Sequence, residues 1–160
     1  AVDPLSVAAY WVREGVYMDL DRPADAERDI RRQLVMSPNR AQAHEDLAAT
    51  LVLAGKPEAA LAELDKAPEG PTRTLYQAMA TCALRRDARS LFVREEATGE
   101  APEVAEMYAM CGQNDQALHW LEYAFDHELD VAFIKADPFL KAVRGEPRYQ
   151  ALLRRLGLKT

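Results

Sequence analysis

The sequence predicts an all-α chain, and two observations carry that prediction. Ala, Leu, Glu and Arg dominate the 160 residues, and all four are strong helix formers. Apolar residues recur at helical spacing in one stretch after another, while nothing alternates convincingly with the period of two that a half-buried strand requires. The clearest stretch is Glu103–Phe125. Val104, Ala105, Tyr108 and, less strictly, Cys111 keep helical spacing, Gly112-Gln113-Asn114 breaks the run, and Ala117, Leu118, Leu121, Ala124 and Phe125 resume it. That pattern describes two short helices folded back on each other.

Composition bounds the rest. The length suits about one domain with a buried core. An apolar share of 49% and a charged share of 29% are ordinary for a soluble globular or helical-repeat protein. The net charge of −6 argues against a nucleic-acid partner, which calls for a basic patch to neutralise phosphates. It suits a basic or apolar protein partner instead. The longest apolar stretches fall far short of a membrane span and no segment resembles a signal peptide, so the expectation is a cytoplasmic protein with no membrane partner. Cys82 and Cys111 make no disulfide framework. Both sit in apolar helical patterns and are expected as plain buried thiols.

Taken in order, the chain reads as helix pairs. Leu5–Leu20 and Pro23–Met36 form the first, with Asp21-Arg22 between them and Pro23 at a first turn, where its missing N–H costs nothing. In the second, Ala41–Pro68, one helix carries His44, Leu47, Ala48 and Leu51, Gly55 turns the chain, and the other helix carries Ala60, Leu61, Leu64 and Ala67. Ala67-Pro68-Glu69-Gly70-Pro71 stops that helix early, since Pro and Gly both oppose continuation. Thr72–Leu84 and the short Ala88–Ala97 make a third pair through an Arg85-Arg86-Asp87 turn, and Thr98–Pro102 leads into the fourth. In the tail, Asp137-Pro138 opens Phe139–Val143 as N-cap plus proline. Glu146-Pro147 opens Arg148–Leu156 in the same way, and Gly157 stops it.

Residue types sharpen the pattern. Tyr17 and Ala26, Leu51 and Ala60, and Tyr108 and Ala117 are each nine positions apart, and Ala26 and Ala60 are 34 apart. A large residue followed at that distance by a small one suits two helices that approach closely. On these landmarks the chain resembles the tetratricopeptide repeat family, whose helix–turn–helix units span about 34 residues. The resemblance implies a right-handed solenoid of such pairs, with units near 5–39, 41–68, 71–97 and 98–130 and a capping tail over 131–160, all in one domain. Two departures stand out. Arg13 and Glu14 occupy positions where the family prefers Leu and Gly or Ala, and Ala60 to Ala117 is 57 residues rather than two full periods. Ala1-Val2-Asp3-Pro4 looks like the end of an earlier repeat, so the expectation is a fragment of a longer protein. The phrase DPFLKAVRGEPRYQALLRRLGL also resembles the closing segment of repeat domains in bacterial multidomain regulators, among them signalling kinases, nucleotide cyclases and winged-helix transcription factors.

What the resemblance implies for function is a non-catalytic protein-interaction scaffold. The family uses the inner face of its first-helix array as a groove. Carried over by position, that face gives Trp11, Val12, Met18 and Asp19 in the first unit, with plain helix packing as the competing role for Trp11 and Met18. The second unit gives Gln42, Glu45, Asp46, Ala49 and Leu53, and the fourth Glu103, Glu106 and Met110; the third has no assignable register. Val12 and Asp46 stand where members that grip a C-terminal carboxylate have Asn, so that clamp is absent and an apolar or basic segment is expected. The alternatives are a homo-oligomerisation module, or a ligand-sensing domain of a bacterial signalling or transcription regulator. No phosphate loop, nucleophile elbow or metalloprotease helix is present, so neither enzyme activity nor a cofactor is expected. His44 suits core or edge packing, and His119 and His127 lie too far apart for adjacent-turn ligation. Asp126, His127, Glu128 and Asp130 read as a solvated helix end. Arg28, Arg31 and Arg32 read as a wet face paired with Asp25, Glu27 or Asp29.

Overall fold

The computed structural model describes residues 13, 16–18, 20–129, 131 and 133–158, without the side chain of Thr98. Among them are no strands. After a helical segment at 16–18 come α1 (Pro23–Met36), α2 (Ala41–Leu53), α3 (Pro57–Leu64), α4 (Pro71–Ala83), α5 (Arg89–Thr98), α6 (Ala101–Met110) and α7 (Asn114–Asp126). A 3-10 helix, Pro138–Val143, and α8 (Pro147–Arg155) complete the order. The chain is all-α. Proline opens most of these elements: Pro23, Pro57, Pro71, Pro138 and Pro147 each stand first in theirs, and Pro102 second. Its fixed φ suits the first turn, and its missing N–H would have had no intrahelical partner there. Among the described N-cap residues only Asp137 caps with its side chain, accepting the Phe139 N–H at 2.8 Å, while Asp87, one residue ahead of the α5 N-cap, accepts the Arg89 N–H at 3.0 Å.

One helix ending recurs. The N–H of Gly55 donates to Val52 O at 3.0 Å and that of Lys56 to Leu51 O at 2.8 Å, the paired bonds of a helix end whose closing residue adopts positive φ. The same two bonds run from Asp21 to Met18 and Arg22 to Tyr17, from Arg85 to Cys82 and Arg86 to Thr81, and from Gly112 to Ala109 and Gln113 to Tyr108. The closing residues here have φ of 57° at Asp21, 69° at Gly55, 56° at Arg85 and 73° at Gly112, and the same pair of bonds with positive φ also ends α7 at Glu128 and α8 at Gly157. Glycine adopts this conformation without penalty; Asp21 and Arg85 do so without its freedom.

The turns at Gly55, Arg85 and Gly112 each fold one helix back on the next: α2 packs on α3, α4 on α5 and α6 on α7. Contacts also run α2–α4 and α4–α6, so these three helices form a continuous layer, with α1, α3 and α5 each bridging to the next layer helix. Small residues sit where helices cross: Ala26, Ala60 and Ala117 are each 0% exposed. Ile30, Leu47, Leu51, Leu64, Leu75, Met79, Met107 and Leu121 fill the core between them. On α1 the arginines pair locally as expected, Arg28 with Asp25 at 2.8 Å and Arg31 with Glu27 at 2.9 Å.

Cys82 and Cys111 are disulfide-bonded, with Cα atoms 5.4 Å apart, which corrects the expectation of two separate buried thiols. Both are half-buried. The pairing follows from the α4–α6 contact, which brings together the C-terminal turns of two helices that are 29 residues apart in sequence.

The tail does more than continue the row. Its 3-10 helix packs mainly on α6, with further contact to α7, and α8 packs on α7. The Phe139 ring lies 5.9 Å from that of Tyr76 on α4. The buried Tyr149 hydroxyl donates to Ile134 O at 2.7 Å, tying α8 to the loop before the 3-10 helix. Lys141 forms an ion pair with Asp21, 120 residues earlier. The tail therefore lies across the helix layer and reaches the first turn.

Candidate functional site

Where the tail crosses the layer it leaves a cavity of about 280 Å³. Leu75 and Tyr76 come from α4, Glu103 and Glu106 from α6, Met18 from the helical segment before α1, and Phe133, Asp137, Pro138 and Phe139 from the tail. Interiors are normally packed with few voids larger than a water, and this one combines aromatic walls with three carboxyls.

Those carboxyls are set by burial and by one another. Glu106 is 9% exposed. Burial first, then the Asp137 carboxyl that it hydrogen-bonds and the nearby Glu103, hold its pKa well above the usual carboxylate range. Two carboxyls can share a hydrogen bond only if one keeps a proton. Burial also raises Glu103, where the neighbouring Glu100 adds to the shift and a backbone hydrogen bond at Glu100 opposes it. Tyr76 is held protonated, by burial and then by Glu106, Asp46, Glu103 and Asp137. Asp46, on α2, is raised by burial although Gln42 Nε2 donates to its Oδ1 at 2.9 Å. Carboxyls from two helices and the tail thus surround the Tyr76 phenol of α4.

The candidate residues separate accordingly. Trp11, Val12 and Asp19 lie outside the described residues. Met18, Glu103 and Glu106 come together at the cavity. Gln42 is exposed beside Asp46, whereas Glu45 and Ala49 are buried within the chain, and Leu53 and Met110 pack against the core. Leu75 and Tyr76, on the helix whose register the repeat pattern left unassigned, line the cavity. Their signal was the Arg85 turn: counted back from it as Asp46 is from Gly55, the matching residue on α4 is Tyr76.

The histidines serve elsewhere. His44 is half-buried with Nδ1 2.9 Å from Glu63 Oε2. His127 stacks on Tyr123 with ring centroids 3.9 Å apart, and His119 meets Trp120 edge-on. Among the described residues no group of three or more His, Cys, Asp or Glu is placed to hold a metal ion, and Asp130 lies outside them. No helix among the described residues is long and apolar enough to cross a membrane. No protein-family model and no curated protein matches the chain. The cavity and the recurring turn therefore carry whatever is concluded about function.

Proposed function

We infer that the chain is a tetratricopeptide-like repeat module, a right-handed solenoid with a capping tail, acting as a non-catalytic scaffold for a partner's apolar or basic segment. The observation that carries this reading is the turn repeated at Asp21, Gly55, Arg85 and Gly112. A single supersecondary unit used four times, with neighbours stacked to bury its face, is how helical repeats are built. The steps between these turns are 34, 30 and 27 residues, so the units shorten along the chain. The α2–α4–α6 layer corresponds to the family's binding face. The converging carboxyls of Asp46, Glu103, Glu106 and Asp137 favour a basic segment over an acidic one.

A peptide library selected on the immobilised protein tests this. Enrichment of Lys or Arg beside apolar residues is expected, with binding lost in the double variant Asp46→Asn, Glu103→Gln. A selected pool with no basic preference, or one indifferent to the double variant, overturns the reading. The second reading, a ligand-sensing domain of a bacterial regulator, is favoured by the cavity itself, since small-molecule sites are concave and mostly apolar with a few convergent polar groups. Either use is compatible with a cytoplasmic protein. In a reducing cytosol the Cys82–Cys111 pair would stand open as two thiols.

A further inference from the structure

We propose that Cys82 and Cys111 form a reversible thiol–disulfide switch that sets how closely α4 and α6 lie together in the layer. They are the two cysteines of the chain, so no other pairing within it competes. Cys82 lies in the last turn of α4 and Cys111 directly follows α6. Tyr76, Glu103 and Glu106 meet in the first halves of the same helices, at the cavity beneath the tail. The two helices therefore run side by side in one direction and are held at two places. Toward their starts the 3-10 helix packs on α6 and sets Phe139 against Tyr76. Six residues further along α4, about 9 Å at 1.5 Å per residue, the disulfide joins their ends.

Three features suit a bond that opens and closes in the folded chain. Both cysteines are half-buried, and exchange requires that an external thiolate reach a sulfur. The exposed Arg85 and Arg86 stand in the turn after Cys82, where nearby cations favour both the attacking thiolate and the one that leaves. Cys111 Sγ lies 4.0 Å from the carbonyl oxygen of Ala78, one turn before Cys82 on α4. A reduced Cys111 donates its weak S–H bond there and stays beside its partner, in place to close again. Opening consumes two small-molecule thiols. The thiolate of the first attacks one sulfur, the S–S electron pair leaves on the other cysteine, and a mixed disulfide forms. The second attacks the small molecule's sulfur, releasing the remaining cysteine and a small disulfide, so two electrons and two protons pass to the cysteine pair. Closure by a low-molecular-weight disulfide is the reverse. With the bond open, the ends of α4 and α6 depend on packing alone and separate, while the tail keeps their first halves together. The switch acts on the layer itself, whether a partner segment or a small ligand lies there.

The test holds the full chain, without denaturant, in glutathione buffers of graded reduced-to-oxidised ratio. Free thiols are blocked with N-ethylmaleimide and counted by intact mass. Passage from no adduct to two is expected as the buffer becomes reducing, with full return on oxidised glutathione. Amide exchange is then compared between the closed and open forms, both supplied by the native chain, so no variant has to fold. On opening, exchange in the last turns of α4 and α6 should quicken at least about tenfold more than in α2. A Cys82→Ala, Cys111→Ala variant should match the open form in either buffer. A pair that opens only when the chain is denatured is a fixed staple, which overturns the switch. Exchange that is the same in both forms overturns it, as does exchange that quickens evenly over every helix, which is general destabilisation. Disulfide-linked dimers in oxidised glutathione overturn it too, because the pairing would then run between copies.

Discussion

Glu95 on α5 is 0% exposed, and neither carboxyl oxygen has a hydrogen-bond partner among the described residues. Burial, then the nearby Glu103, push its pKa up to about 7, against a smaller opposing effect of Arg94. A carboxyl whose folded pKa exceeds its unfolded value binds more protons in the folded state. Its contribution to stability is therefore fully present below about pH 4.5 and lost as pH rises through about 7. Glu95→Gln, a neutral near-isostere, should leave the melting temperature unchanged near pH 4.5 and raise it at pH 8. The gain should reach up to about 3 kcal/mol, at about 1.4 kcal/mol per pKa step. Equal melting of the two proteins at pH 8 would show that water reaches the carboxyl. The crossing alanines make the opposite case, being small because nothing larger fits. Ala60→Leu or Ala117→Leu should each cost roughly 1–3 kcal/mol by overpacking, read as a lowered denaturation midpoint; an unaltered midpoint would mean the crossings have room.

At the scale of the element, the turn that ends each layer helix decides where the chain reverses. Arg85 holds positive φ without glycine's freedom, at a cost of roughly 1–2 kcal/mol, part of which a glycine would return through its more flexible unfolded chain. Arg85→Gly should therefore stabilise by about 0.5–1 kcal/mol in chemical denaturation, and Gly112→Ala should destabilise by about as much. A destabilised Arg85→Gly would mean that the arginine side chain holds the turn.

This element also explains what could be read in advance. The span of α1 was legible because Pro23 and Pro38 bracket a periodic run, and Gly55 and Gly112 marked two reversals. The third reversal lacked a glycine, so α4 had no register and Tyr76 went unassigned. Glu106 was expected on an open groove. It is buried because the tail, whose position depends on contacts far apart in sequence, lies over it.

At the scale of the molecule, the disulfide links the ends of two neighbouring layer helices. Closing a loop of 29 residues should stabilise the fold by about 3–4 kcal/mol on chain-entropy grounds. Reductant should lower the thermal midpoint of the native protein and leave that of a Cys82→Ser, Cys111→Ser variant where it is. Indifference of the native protein would mean that the loop is already restrained when unfolded. The shortening of successive units belongs to this scale too. Proline and glycine after α3, and the ten residues of α6 against thirteen in α2 and α4, take up the difference.

In a linear stack each unit leans only on its neighbours, so the ends fray first and the whole can unzip one unit at a time. The Lys141–Asp21 contact, and the cavity that Met18 and Phe139 line together, join the beginning of this row to its end. A row joined in this way should open less readily from its ends than a linear one. Amide exchange in α2 and α8 should then report one shared opening free energy rather than a gradient falling toward the ends. Cutting the clasp with Lys141→Glu and Phe139→Ala together should restore the gradient.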